Sequence, residues 1–379
     1  MLHFHQNGTF KIMQIADTQE LPSLSPDTLR LLDGALEREQ PDLVIFTGDQ
    51  LQGNNQRFCR HPELVEQTID ALLEPVTSRE IPFMVTYGNH DNQCGLSNRE
   101  MHAFYAKHPT FVGGRPHGDD IGTTDVQIYS ADRSRPAFNL YLLDSHGKDP
   151  AGQGYLPVEQ DQIAWYIAER ERLRKKWGDY LPSLVFQHIP VQEIYHTLQL
   201  VPKGTEGAVR SYGWREGEYF VLPGQLQALG GFLGEFPAVP EINTGEFSAM
   251  AEMGDVLGIW CGHDHINSFV GQYRGVDLGC TQGAGFHTYG PGRERGVRIF
   301  TLHEAAPQSY DTYTVTFDQV CSGRLSSPTR EMIYRHLPTS PRQVRAAALR
   351  AGLTAAGIAV GAGVLWGACQ IVQWRRKKK

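Results

Sequence analysis

Cysteine is scarce in this sequence and never closely spaced. Six residues (Cys59, Cys94, Cys261, Cys280, Cys321 and Cys369) are scattered over 379 positions, with no CxxC pair. Such dispersal excludes a disulfide framework and points to free thiols in a reducing compartment. A basic stripe is missing too. The formal net charge is −7, and it is more acidic still without the basic C-terminal tail, so no nucleic-acid partner is expected. The opening Met1-Leu2-His3-Phe4-His5 has neither the basic start nor the apolar core of a signal peptide. No internal repeat or low-complexity tract interrupts the chain before its C-terminal segment. Its composition, 40% hydrophobic and 20% charged, is that of an ordinary globular protein, long enough for one large domain or two.

The C-terminus departs from that pattern. From Ala351 to Trp374 no residue is charged, a run of 24 residues, enough to span a bilayer with some tilt. Arginines flank it on one side (Arg342, Arg345, Arg350) and the tail Arg375-Arg376-Lys377-Lys378-Lys379 on the other. Glycines at four-residue spacing (Gly357/Gly361, Gly363/Gly367) suit close approach of membrane helices. Residues 346–379 are therefore expected to be a transmembrane anchor with a basic tail, and residues 321–345 a linker. A surface-lying helix and a soluble appended helix are the other readings. The positive-inside rule would export the main domain. Free thiols and the absent export signal instead favour a cytoplasmic domain held at the membrane by its C-terminus.

Residues 1–320 alternate strand and helix signals. Lys11–Ala16 reads as a strand, and Ser25-Pro26-Asp27 opens a helix to Glu39. Strand Leu43–Thr47, a helix over Pro62–Arg79 and strand Ile81–Tyr87 follow, and Ser97-Asn98-Arg99-Glu100 forms a capping box. This order predicts an α/β fold with a largely parallel sheet. Hairpin strands at Val126–Ser130 and Phe138–Asp144 precede a helix over Pro157–Trp177. Val191–Phe247 shows no periodicity and is expected to be a substrate-side loop.

Five islands end apolar, strand-like runs: Asp17-Thr18-Gln19, Gly48-Asp49, Gly88-Asn89-His90-Asp91, Gln187-His188 and Gly262-His263-Asp264-His265. In open α/β sheets ligands bind beyond the carboxyl ends of strands. Five strand ends offering oxygen and imidazole donors predict one shared polyvalent metal site. Two such metals can activate water, orient a phosphate and stabilise both oxygens of an in-line displacement. They need one carboxylate between them, because close cations repel.

The ordered series D-x-Q, GD, GNHD, QH and GHxH resembles the calcineurin-like metallophosphoesterase superfamily. The segment Gly283–Arg293 is similar to the branch holding a yeast cell-cycle regulator phosphatase and purple-acid-phosphatase-like proteins. The resemblance covers residues 10–318 and implies a four-layer α/β/β/α sandwich. It implies two metal ions (Mn, Fe or Zn), with Asp17 and His265 on the first, Asn89, His188 and His263 on the second, and Asp49 bridging both. It places His90 as the acid for the leaving oxygen, oriented by Asp91. The activity implied is hydrolysis of a phosphate monoester, on a small molecule or a phosphoprotein, by a metal-bridging hydroxide. A phosphodiesterase and a non-catalytic membrane-tethered binding module are the alternatives.

Gln19 departs from the family, which usually has a first-metal His there. It leaves three outcomes open: a weaker carbonyl ligand, a partner for metal-bound water, or loss of the first site. Gln50-Leu51-Gln52 follow Asp49 where purple acid phosphatases carry a Tyr, so a purple iron centre is not expected. Arg210 and Arg215, beside Tyr212 and Trp214, could clamp a phosphate and stack on an attached ring, or form a solvated loop face. His287 is a candidate substrate contact or a loop surface residue. Arg293 and Arg295 are equally substrate-side or structural. Asp144 is expected to satisfy hydrogen bonds rather than do chemistry, and Cys261 to be core.

Overall fold

The computed structural model describes residues 1–152 and 154–337. The expected anchor, residues 346–379, lies outside the described residues. Among the described residues no helix is long and apolar enough to cross a membrane.

Two sheets form the body of the molecule. The first runs, edge to edge, Tyr310–Thr316, Gly296–His303, Thr9–Ile15, Leu43–Thr47 and Phe83–Thr86. Its last three strands are mutually parallel, and the first two join antiparallel. The second sheet has eight strands. At its centre Pro136–Leu143, Ser183–Gln187, Val256–Cys261 and Val276–Cys280 are parallel neighbours in that order. Antiparallel strands extend both of its edges.

The central strands are apolar on both faces because both faces are covered. Along Leu43–Phe46, Leu43 and Ile45 join the core between the sheets, and Val44 and Phe46 join the core under the helices. On the second sheet Leu184 and Phe186 point to the inter-sheet core and Val185 to the opposite side. Phe186 and Trp260 meet Phe300 of the first sheet edge-on, with ring centroids 5.4 and 4.7 Å apart. Helices Pro26–Glu39, Glu63–Thr77 and Asn98–Tyr105 cover one outer face, and Gln160–Trp177 with Glu246–Ala251 the other. Two sheets thus lie face to face with helices outside both.

Local signals explain where the helices begin. The Ser97–Glu100 capping box forms as expected. Pro26 opens its helix, but the Ser25 side chain caps nothing; its backbone N–H donates to the buried Glu20 carboxylate at 2.8 Å. The long helix starts at Gln160 rather than Pro157, where Glu159 and Gln162 cap each other, and it ends at Gly178 with φ 96°.

Two expectations need correction. The aperiodic stretch 191–247 is not structureless: it carries a separate three-stranded sheet of Gln199–Val201, Tyr219–Val221 and Val209–Arg210. Strands of two or three residues are too short to show a period of two. Within the expected linker, Pro328–His336 is helical, and Leu325 N–H donates to Glu331 at 2.9 Å. Asp27 accepts from Ser326 N–H at 3.0 Å and so ties this segment to the first helix.

Phe186 is fully buried between the sheets. Phe186→Ala should lower stability by about 3–5 kcal/mol, seen in urea as a lower midpoint with unchanged slope. A loss near that of a surface substitution would mean that the sheets do not meet at this ring.

Candidate metal centre

All five islands follow the carboxyl ends of parallel central strands, three in the first sheet and two in the second. Face-to-face packing brings these ends together. The chain turns sharply as it leaves them: Asp17, Gln19, Asp49 and His263 adopt φ of 54°, 38°, 54° and 69°. Left-handed backbone is uncommon outside glycine, and it clusters at functional sites held by their surroundings. Gly88 is required by close approach, because a Cβ there would lie 2.2 Å from Asp49 Oδ1.

Two sets of donors meet at Asp49. In the first, Asp17, Asp49 and His265, all buried, offer ligand atoms within 4.8 Å of one another. Asp17 Oδ1 is buried, has no hydrogen-bond partner among the described residues and stands 3.3 Å from His265 Nε2. In the second, His188 Nε2 lies 3.2 Å from Asn89 Oδ1, 3.2 Å from His263 Nδ1 and 3.4 Å from Asp49 Oδ2. Backbone carbonyls set the ring orientations. His188 Nδ1–H donates to Thr47 O at 2.9 Å and His265 Nδ1–H to Tyr289 O at 3.0 Å, leaving each Nε2 lone pair facing the carboxylates. Lone pairs at this spacing repel unless a proton or a cation sits among them. The orphaned Asp17 oxygen and the mixed oxygen–imidazole donors fit a pair of hard or borderline metal ions.

The electrostatics agree. Burial opposes charge on His188, but Asp49 outweighs it and raises the imidazole to about 10. Burial likewise opposes ionisation of Asp49, yet His188 holds its carboxyl well below the usual range. Burial, helped by His188, keeps His263 well below the usual histidine range. The charges of His188 and Asp49 thus favour a proton or a cation between them.

Gln19 reaches this centre. Its Nε2 donates to Asp49 Oδ2 at 3.0 Å and lies 3.4 Å from His265 Nε2. Half a turn of the amide would put its carbonyl oxygen at the same point. His90 donates its backbone N–H to Asp49 Oδ1 at 2.7 Å and is one of the residues lining the cleft.

Several expectations fail here. Asp91 does not orient His90: its carboxylate accepts the N–H groups of Asp49, Gly88 and Leu51 at 2.8, 2.8 and 3.2 Å. It braces the two loops, and Gln93 Oε1 holds His90 Nδ1 at 2.8 Å instead. Arg210 and Arg215 lie on or beside the three-stranded sheet, away from the cleft lining. Arg210 pairs with Glu216 at 3.4 Å, and Arg215 with Glu218. His287 turns to the buried Glu20 carboxylate, 2.9 Å away. Arg295 is structural: it is fully buried and donates to the carbonyls of Gly285, Thr288 and Tyr289. Arg293, paired with Asp318 and Glu331, has the same character. Asp144 accepts from His146 N–H and Asn98, and Cys261 is core, both as expected.

Sequence reasoning missed three cleft residues. Tyr289 stacks on His265 at 4.2 Å and 5°, and its hydroxyl donates to Glu235 at 2.9 Å. Tyr155 packs edge-on against His263 at 4.7 Å. Tyr289 was within reach, since it lies in the glycine-rich segment already singled out. Nothing local marks Tyr155 or Glu235. Together with Gln19, Asp49, Asn89, His263 and His265 they border a cleft of about 410 Å³.

The calcineurin-like phosphoesterase pattern matches residues 10–267. The chain belongs to that family. Among its relatives, Arabidopsis thaliana "Probable inactive purple acid phosphatase 14" is 30% identical over 336 residues, 79% of this chain and 76% of that protein. Phosphatase DCR2 of Saccharomyces cerevisiae is 28% identical over 289 residues, 69% of this chain but 45% of that protein. These relatives fall in the branch that Gly283–Arg293 resembles. A dimetal phosphatase from Danio rerio superposes with TM-score 0.51 at 15% identity, over 81% of this chain and 99% of that one, and shares the fold.

Because His188 must lose its proton to bind metal, Mn²⁺ affinity of chelator-treated protein should rise with pH up to about 10. One displaced proton predicts roughly tenfold per pH unit. Calorimetry in buffers of different ionisation enthalpy should detect the released proton. Affinity that is flat between pH 6 and 8 would contradict the proton-filled pair.

Proposed function

We propose that this chain is a two-metal phosphomonoesterase acting on a phosphorylated small molecule or a phosphoprotein. One observation carries the reading: Asp49 Oδ2 lies between two sets of buried donors, with His90 among the residues lining the same cleft. When bound, two metal ions of the Mn, Fe or Zn class would supply activated water and neutralise phosphate charge. Asp17, Asp49 and His265 would hold one ion, with Gln19 beside it, and Asn89, His188 and His263 the other. Asp49 would serve both, and in the metal-free chain His188 holds its carboxyl well below the usual range. Tyr289 keeps His265 fixed from two sides, through its ring and its carbonyl. His90, held by Gln93, gives its proton to the leaving oxygen, a role suited to an imidazole.

The choice of monoester over diester rests on the resemblance to this branch of phosphatases alone. With Arg210 and Arg215 away from the cleft, recognition of the rest of the substrate falls to its rim, where Tyr155 and Phe236 offer aromatic surface. Attachment to a membrane through residues 346–379, with the domain on the cytoplasmic side, completes the proposal.

A second reading, a metal-holding module without turnover, draws on Gln19 and on plant relatives that carry "inactive" in their names. The cleft-facing His90 favours catalysis. His90→Gln should lower kcat about 10²–10⁴-fold while elemental analysis still finds both metals. Wild-type protein with two metals and no turnover across mono- and diesters would establish the module instead. Asp49→Asn removes the shared anion and should abolish turnover and reduce metal content sharply. Gln19→His should tighten the weaker of two binding steps in a Mn²⁺ titration; unchanged steps would place Gln19 outside the coordination sphere.

A further inference from the structure

A second cavity, of about 720 Å³, shares no lining residue with the metal cleft. Its walls come from strands Asn267–Tyr273 and Tyr310–Thr316, one from each sheet, and from helix Gly224–Ala228. Arg298 belongs to its lining and is only 4% exposed. The guanidinium crosses from the first sheet to the second and lies 5.0 Å from the centre of the Trp260 ring.

Every partner of this buried cation is neutral. Nε donates to Thr281 Oγ1 at 3.1 Å and Nη1 to Thr312 Oγ1 at 3.4 Å. Nη2 donates to Ser268 Oγ and Cys280 O, each at 3.2 Å. Among the described residues no carboxylate forms an ion pair with it, although Arg170, comparably buried, has Glu252 at 3.4 Å. Asp277 also borders the cavity, but its oxygens are taken by Tyr310 Oη at 2.8 Å and Gln272 Nε2 at 3.2 Å. Burial lowers Arg298 to about 10, offset in part by Cys280, Tyr310 and Cys261, so it stays charged at neutral pH.

A desolvated charge without a counter-ion is unfavourable. The cavity that Arg298 lines gives an anion room beside it. The hydroxyls of Ser268 and Thr312 accept from the guanidinium, and among the described residues neither has an acceptor for its own proton. Four of the five guanidinium N–H groups are taken, so the remaining Nη1–H and the two hydroxyls offer three donors to a tetrahedral oxyanion. We propose that this cavity binds a small oxyanion of the phosphate or sulfate class, held by Arg298, Ser268 and Thr312. The site is separate from the metal centre and does not depend on its chemistry.

The test uses the full chain stripped of metal with chelator, which removes metal-dependent phosphate binding, titrated with inorganic phosphate by calorimetry. One saturable phosphate per chain is expected, with sulfate competing. Arg298→Gln should weaken binding about tenfold or more, and Thr312→Val about threefold with an unchanged unfolding temperature. If Arg298→Gln does not fold, Thr312→Val decides alone. No saturable uptake by the metal-free wild type at millimolar phosphate overturns the proposal. So does an affinity that the folded variants leave unchanged.

Discussion

A carboxylate buried where two sheets meet has to be neutralised, and Asp49 is neutralised from both of them. His188 reaches it from the second sheet, and Gln19 and the His90 N–H reach it from the first. Asp91 sits behind and holds the loops after Leu43–Thr47 and Phe83–Thr86 by their backbone N–H groups. The convergence of donors, the left-handed turns and the glycines without room for a Cβ all follow from packing this one anion at a seam. Removing His188 or the backbone donors would leave the charge stranded in an interior that stabilises ions poorly.

The seam is polar along more of its length than the metal centre alone. Fully buried Gln14 donates to Thr47 Oγ1 at 3.0 Å and to Cys261 O at 3.4 Å, and its own oxygen accepts from Thr281 at 2.8 Å. Thr281 in turn accepts from Arg298. A chain of hydrogen bonds therefore stitches the strand leading to Asp17 to those leading to Asp49 and His263. Beside it, Phe186, Trp260 and Phe300 supply the apolar contact that keeps the sheets together. The register of strand ends is thus set by polar pairs, and the adhesion between sheets by aromatic packing.

Sequence reading went furthest where the signal is local. The strands before each island and the Ser97–Glu100 capping box stand where patterning put them. It failed where a residue's role depends on a neighbour distant in the chain. Asp91 follows His90 directly, yet it turns away because three unpaired N–H groups from two other loop positions and its own compete for its oxygens. Arg210 and Arg215 had the chemistry of a phosphate clamp, but nearby Glu216 and Glu218 claim them. Glu235 and Tyr155 come from stretches without periodicity, and no spacing rule aims them at the cleft.

By itself, the sequence determined the chemistry available: which strand ends carry oxygen and imidazole donors, and that Gln19 stands among them. Those facts are local, because side-chain type and strand alternation are written residue by residue. Tertiary structure alone decided the partnerships: Asp49 shared between two donor sets, Gln93 behind His90, Tyr289 against His265, and Arg298 with no carboxylate among the described residues. Each of these depends on how two sheets register across a buried seam. That register minimises stranded charge and unfilled volume over the whole interface, a sum that no single stretch of sequence contains.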